Sequence, residues 1–378
     1  MNIDTIYTGD SLDVLKTLPD ESVHTFISSP PYWGLRDYGT DKWQGGDPSC
    51  PHRVSNRPAD NKNKKAIIHG IRAGVDASTC ELCGATRVIQ QIGLEKTPQE
   101  YVARMVAVFH EARRVLRKDG TLWLNLGDSW ASAKSRYSSS AQTLSGKGRD
   151  EPVNRNKPDL RHAGYADKQL LGIPWRVAFA LQDDGWILRS DIIWGKRNPM
   201  PESVKDRVTK AHEYVFMFAK SGRYYFDWRA IREQSSKGSH GSPRANPGKK
   251  AAQNHGDLTQ STLGKWTKEN EVRNKRSVWM LTSEPSTHAH YAAFPKKLIE
   301  PMILAGCPKD GIVLDPFMGS GTTALVARAL GRHYVGIELN PEYVAMAQDR
   351  LRLPFEPRVK KQEKPIDDLP LFSLLAGD

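Results

Sequence analysis

The stretch Gly311-Ile312-Val313-Leu314-Asp315-Pro316-Phe317-Met318-Gly319-Ser320-Gly321-Thr322-Thr323 decides the fold. Gly311 to Leu314 is a short buried strand. The segment Asp315–Thr323 turns it into a helix running Ala324 to Leu330. Gly319 and Gly321 permit close backbone approach at the helix N-terminus. Gly331 ends that helix, a second strand follows over His333 to Ile337, and Glu338 stands at its tip, 17 residues beyond Gly321. An acid there is placed to bind ribose hydroxyls. The spacing follows dinucleotide-binding logic, but G-x-G-x-x-G is missing, and so is the G-K-[ST] of a phosphate-cradling loop. The expected ligand is a nucleoside without a pyrophosphate.

Near the other end, the apolar run Val23 to Ile27 leads into Ser28-Ser29-Pro30-Pro31-Tyr32-Trp33. This reads as a rigid loop at a strand's carboxyl end. Consecutive prolines fix φ and remove two N–H groups, which leaves Ser29 and the Pro30 carbonyl as outward acceptors. Tyr32 and Trp33 supply an aromatic wall. Acceptors beside a ring face suit a flat heterocycle carrying an exocyclic NH₂.

Together, Ser29-Pro30-Pro31-Tyr32 and Asp315 to Thr323 resemble the paired signatures of the amino-group DNA methyltransferases. The catalytic motif precedes the cofactor motif, as in the permuted β group, and Ser before the prolines resembles the N4-cytosine branch more than the N6-adenine branch. The resemblance spans Ile6 to about Leu351, inserted segments excepted. It implies an α/β, Rossmann-like methyltransferase with a mostly parallel, circularly permuted sheet. It also implies S-adenosylmethionine as cofactor, held by Asp315, Pro316, Phe317, Gly319, Ser320, Gly321, Thr322 and Glu338, and methyl transfer to a base flipped from double-stranded DNA. Asp10, after the first strand Thr5 to Tyr7, resembles the family's acidic cofactor loop and also reads as an ordinary helix N-cap. Phe294-Pro295 is similar to the helix start that borders the cofactor's methionine end. Lys196 and Asn198, after the strand Trp186 to Trp194, match the loop bordering the flipped base, and Trp33 joins them as a DNA contact. The implied reaction is cytosine N4 methylation, with adenine N6 as the alternative and a zinc-stabilised DNA-binding module without catalysis as a second. A cognate restriction endonuclease is an admissible partner.

The chain has 378 residues and a net charge of +12. Residues 131–290 hold 28 Lys and Arg against 16 Asp and Glu, so that one segment supplies the whole excess. A polyanion such as DNA explains this concentration. No apolar run approaches membrane-spanning length and the amino end has no signal region, which predicts a cytosolic protein; the family resemblance implies a prokaryotic or phage-encoded one.

Residues 1–40 and 93–230 are expected to form the catalytic half and 277–352 the cofactor half, with a peripheral tail over 353–378. Residues 131–168 read as a mobile basic loop and 232–276 as a target-recognition region. The polar insertion 41–92 carries Cys50, His52, Cys80 and Cys83, a C-x-H and C-x-x-C set with the four donors of a structural zinc site. His69 is the alternative to His52. Thr97-Pro98-Gln99-Glu100 opens a helix lined by Val102, Met105, Val106, Phe109 and Leu116 and ending at Gly120. Thr121 to Leu126 and Tyr214 to Phe218 read as strands, with Tyr224 to Asp227 as hairpin partner of the latter. Cys307 reads as a small core residue.

Overall fold

A computed structural model describes residues 1–34, 38, 40, 42–52, 79–80, 82–88, 90–131, 160–234, 272–282 and 294–352. His69, the tail 353–378 and most of the two basic segments expected at 131–168 and 232–276 lie outside these residues. Among the described residues eight strands form one sheet: β1 (Thr5–Thr8), β2 (Val23–Ser28), β5 (Leu116–Leu126), β6 (Ile187–Lys196), β7 (His212–Ala219), β10 (Val278–Leu281), β11 (Ile312–Asp315) and β12 (His333–Glu338). Two short ribbons lie apart, β3 (Lys42–Gln44) with β4 (Thr86–Val88) and β8 (Glu233–Gln234) with β9 (Val272–Arg273). The main sheet runs β1-β12-β11-β2-β5-β7-β6-β10. Its pairings are parallel except that β7 opposes both β5 and β6.

Among the described residues six α-helices cover the two faces: α1 (Ser11–Thr17), α2 (Pro98–Val115), α3 (Ile173–Asp183), α4 (Lys296–Gly306), α5 (Thr322–Ala329) and α6 (Pro341–Arg352). Strand alternation divides the core between them. Phe26, Leu122, Leu124, Phe216 and Leu314 pack with α1, α2 and α3, while Ile27, Trp123, Val215, Met217 and Val313 pack with α4, α5 and α6. Buried Cys307 closes the second layer. α2 begins as its sequence requires: Pro98 fills the first turn, and Thr97 accepts from the Glu100 amide at 3.2 Å. Glu100 reaches back to the Lys96 amide at 3.0 Å, one residue earlier than a capping box would place it.

The chain leaves β11 through α5 toward β12, and leaves β2 through α2 toward β5 on the opposite side. The order of connection therefore reverses between β11 and β2, and the crevice of an open α/β sheet forms at the strand tips there. Both motifs end at those tips.

Two expectations fail. α2 stops at Val115 rather than Gly120, because Leu116 turns extended and pairs with Val23. The register then shifts to Thr25 opposite Thr121, and a Cβ on Gly120 would lie 2.4 Å from the Leu116 side chain, so only glycine fits this fold-back. Residues Tyr224 to Asp227 form no hairpin, because both edges of β7 are already taken by β5 and β6. The segment is tied instead by Tyr225 N to Asp119 O at 2.8 Å and Asp227 N to Ala305 O at 2.9 Å. Among the described residues no helix is long and apolar enough to cross a membrane.

Candidate active site

A cavity of about 430 Å³ opens at the switch point. Pro316, Phe317, Met318, Gly319, Ser320, Thr322, Glu338 and Asp10 line one end, and Ser29, Pro30, Pro31, Tyr32, Asn125, Glu213 and Lys196 line the other. Phe294 faces it as well, whereas Pro295 is buried at the start of α4 without lining it. Sheet order fixes this polarity, since β1, β11 and β12 lie on one side of β2, and β5, β6 and β7 on the other.

At the first end, Glu338 accepts from Gly319 N and Asn340 N, each at 2.8 Å, and its carboxyl is raised above the ordinary range by desolvation first of all. Gly319 adopts a φ of +54° in the wall. Asp10 serves as N-cap, its Oδ1 accepting from Leu12 N at 2.9 Å and Asp13 N at 3.3 Å, while it also faces the cavity. Arg350 donates to the Ser320 carbonyl and, at 2.6 Å, to Ser320 Oγ, which fixes the loop from behind. Gly321 is needed for packing: its φ is +81°, and a Cβ there would lie 2.8 Å from Ala347 of α6.

Asp315 stands outside the cavity. It is 1% exposed, and its carboxylate accepts from Ser28 Oγ at 2.8 Å, Phe317 N at 3.0 Å and Thr323 Oγ1 at 2.7 Å. It thus braces the tips of β2 and β11 to the start of α5. Burial nevertheless raises its carboxyl to about 6.

At the second end a polar network surrounds Ser29. Its Oγ donates to Asn125 Oδ1 at 3.2 Å and lies 3.4 Å from Tyr32 Oη. Asn125 Nδ2 donates to Tyr214 O at 3.0 Å and Glu213 Oε2 at 3.2 Å, which fixes the amide so that Oδ1 meets the hydroxyls. With its proton committed to Asn125, Ser29 Oγ keeps its lone pairs for an N–H in the cavity. Tyr32 Oη donates to Glu213 Oε2 at 2.6 Å, and Lys196 Nζ pairs with Glu213 Oε1 at 2.5 Å. Burial, then the Glu213 charge, raises the Tyr32 phenol well above its usual value, so it stays neutral. Its ring lies against Gly127, where a Cβ would come within 2.5 Å. Pro31 O accepts from Tyr101 Oη at 3.0 Å, which holds the proline loop to α2.

Asn125 and Glu213 escaped the sequence reading, although a polar residue between Leu124 and Leu126 in an apolar strand was a usable signal. Of the three expected DNA contacts, Trp33 is placed otherwise. Trp33 is 2% exposed in the core with Nε1 on Glu95 O at 3.1 Å, because the chain turns inward under α2 after the prolines. Lys196 is engaged by Glu213 within the cavity wall, and Asn198 is exposed and outside the lining.

The Cys and His residues of the insertion do converge. Ligand atoms of Cys50, His52, Cys80 and Cys83 all lie within 4.8 Å of one another. Cys50 Sγ to Cys80 Sγ is 3.8 Å, against about 3.8 Å for the edge of a tetrahedron with Zn–S bonds near 2.3 Å. Cys83 Sγ to His52 Nδ1 is 3.3 Å. Trp43 of β3 stacks on His52 with centroids 4.7 Å apart, which holds the ring in place. The cluster sits at the far end of the β3–β4 ribbon. At the near end Tyr38, Thr40, Gln90, Gln91 and Ile92 join the cavity wall, with Tyr38 N on Gln91 Oε1 at 2.8 Å.

The profile of a family described as DNA methylase matches residues 23–349. The chain is 40% identical over 352 residues to the type II methyltransferase M.Cfr9I of Citrobacter freundii, covering 93% of this chain and 89% of that protein. It is 36% identical over 346 residues to the type II methyltransferase M.SmaI of Serratia marcescens, covering 92% and 90%. Among solved structures it resembles the PvuII DNA methyltransferase (cytosine-N4-specific) with a TM-score of 0.52 and 18% identity, over 94% of this chain and 88% of that one, a likeness of fold.

Proposed function

This chain belongs to the DNA methylase family, and on that premise we propose that it transfers a methyl group from S-adenosylmethionine to the exocyclic N4 of a cytosine flipped out of double-stranded DNA. One observation carries the reading: the Ser29-Pro30-Pro31-Tyr32 loop and the Pro316 to Thr322 loop line opposite ends of a single cavity. The residues fit the cofactor. Glu338 offers carboxylate oxygens for ribose hydroxyls at a strand tip, Phe294 and Phe317 offer apolar surface, and Asp10 and Glu338 are anionic neighbours for a cation. S-adenosylmethionine, when bound, supplies a methyl group activated on a positively charged sulfur.

The chain's own contribution is orientation and electrostatics. An exocyclic amine is a poor nucleophile because its lone pair is conjugated into the ring. Accepting its N–H at Ser29 Oγ and at the Pro30 carbonyl would favour a more tetrahedral nitrogen with its lone pair free for the methyl group the cofactor would supply, the sulfur leaving as a neutral thioether and the surplus N–H proton passing to water. Tyr32 gives the flipped base a ring to stack on, and Glu213 fixes the tilt of that ring. Lys196 neutralises Glu213 and thereby keeps a bare carboxylate away from the nucleophile.

Ser29, rather than an acid, before the prolines favours cytosine N4; adenine N6 is the second reading. The motif order matches the permuted β group. Zinc on Cys50, His52, Cys80 and Cys83 is part of the proposal, and its role is structural, since four protein ligands close the coordination shell. Double-stranded DNA is the substrate, with a cognate restriction endonuclease as the expected companion of a type II enzyme. Methylome sequencing of DNA from cells expressing the protein tests the reading: N4-methylcytosine at a fixed short sequence supports it, N6-methyladenine moves the assignment to the second reading, and unmodified DNA overturns both.

A further inference from the structure

Beyond β6 the chain runs from Arg197 to Ala211 before re-entering the sheet as β7. This loop carries Pro199-Met200-Pro201, and Met200 is 84% exposed although it lines the cavity with Lys196 and Glu213. The loop follows the tip of β6, which places Met200 at the Ser29 end of the cavity, away from Glu338. An apolar side chain held in water at the mouth of a functional cavity gains nothing for the free protein. Its neighbours show that the position is prepared. Prolines on both sides restrict the backbone of Met200, so that little conformational entropy is lost when the side chain is used. The rest of the loop is anchored: Arg207 stacks on Trp130 at 3.6 Å and pairs with Glu202 at 2.6 Å, and Lys168 pairs with Asp206 at 2.6 Å. Four basic residues, Arg197, Lys205, Arg207 and Lys210, stand against two acids on it, a balance suited to a phosphate backbone.

A base in a duplex reaches Ser29 only by leaving its stack, and it leaves a hole whose walls are unstacked base faces. Closing such a hole with an apolar side chain offsets part of the unstacking cost, which is a few kcal/mol per step. We propose that Met200 is the wedge that enters the gap vacated by the flipped base. The proposal rests on the reading that the substrate is a base extruded from duplex DNA.

The test is single-turnover methyl transfer by wild type, Met200→Ala and Met200→Leu on two duplexes carrying the site that methylome sequencing identifies. In one the target base is normally paired, and in the other it faces an abasic site, where extrusion is already cheap. Met200→Ala should be roughly tenfold or more slower on the paired duplex, the equivalent of losing about one unstacking contribution. It should approach wild type on the abasic duplex, and Met200→Leu should match wild type on both. Equal slowing of Met200→Ala on the two duplexes makes Met200 a wall of the base pocket and overturns the wedge, as does an unchanged rate on the paired duplex. Wild-type protein that transfers no methyl group to either duplex overturns the methyltransferase reading and the wedge with it.

Discussion

Replacing Asp315 by Ala separates a brace from a ligand contact. Three donors lose their acceptor: Ser28 Oγ, Thr323 Oγ1 and the Phe317 amide. A buried donor left unpaired costs about 1–3 kcal/mol, or roughly 6 kcal/mol for three. The carboxylate itself is expensive, however. Burial raises it from 3.8 to about 6, and two units correspond to about 3 kcal/mol held against the ionised form at neutral pH. The balance is a loss of about 2–4 kcal/mol for Asp315→Ala. Asp315→Asn relieves the charge and keeps one acceptor, so it should cost less. The sign of the pH dependence follows from the raised value. Between about pH 4 and 6 the folded protein holds a proton that the unfolded chain has released, so this group's contribution is full below the unfolded value and declines as pH rises through 6. Denaturant titrations at pH 5 and 7.5 should show that decline in wild type and a shallower one in Asp315→Asn. Calorimetry should find S-adenosylmethionine binding weakened in Asp315→Ala along with stability, because the Pro316 to Ser320 loop loosens. Full stability with binding abolished would refute the brace and make Asp315 a direct ligand; wild-type values for both would refute it altogether.

Glu213→Ala should release Tyr32 and leave Lys196 unpaired in the cavity wall, slowing methyl transfer by roughly tenfold or more while cofactor affinity holds; an unaltered single-turnover rate would remove Glu213 from the site. Elemental analysis should find about one zinc per chain. Metal removal or Cys80→Ser should weaken S-adenosylmethionine binding before the central sheet melts, since a three-pair ribbon cannot by itself hold Tyr38, Gln90 and Gln91 against the cavity; intact affinity in metal-free protein would break that link. DNA affinity should fall steeply with salt, and a flat titration would mean that the excess charge of residues 131–290 does not meet phosphate.

The parts of the molecule legible in the sequence are those where period and punctuation coincide. β11, α5 and β12 follow from one apolar run, two glycines and a terminal acid, and β2 follows from four apolar or β-branched residues, Val23, Thr25, Phe26 and Ile27, ahead of two prolines. The site was legible where it lies on those strand tips, as at Ser29, Glu338 and Gly319. It was not legible where a residue's role depends on which strands become neighbours. Asn125 meets Ser29 because β5 pairs with β2, and Glu213 reaches Tyr32 and Asn125 because β7 inserts beside β5 in the opposite direction, pairings no local pattern announces. Trp33 shows the converse: an aromatic after prolines looks like a surface wall, and only the packing of α2 makes it core. Asp315 reads as a ligand because it ends a strand, whereas the partners that occupy it are 287, 8 and 2 residues away and fill its acceptors from within.

Ser29 bears the chemistry of the account, so the direct test is its removal. Ser29→Ala should bind S-adenosylmethionine with nearly wild-type affinity and transfer methyl groups to duplex DNA at least roughly tenfold more slowly in a single turnover, as expected for one lost acceptor in a desolvated site. Nucleoside mass spectrometry on the wild-type product should identify N4-methylcytosine. A Ser29→Ala protein that turns over at the wild-type rate would contradict the account, because the hydroxyl would then be a turn residue and the assignment to cytosine would lose its physical support.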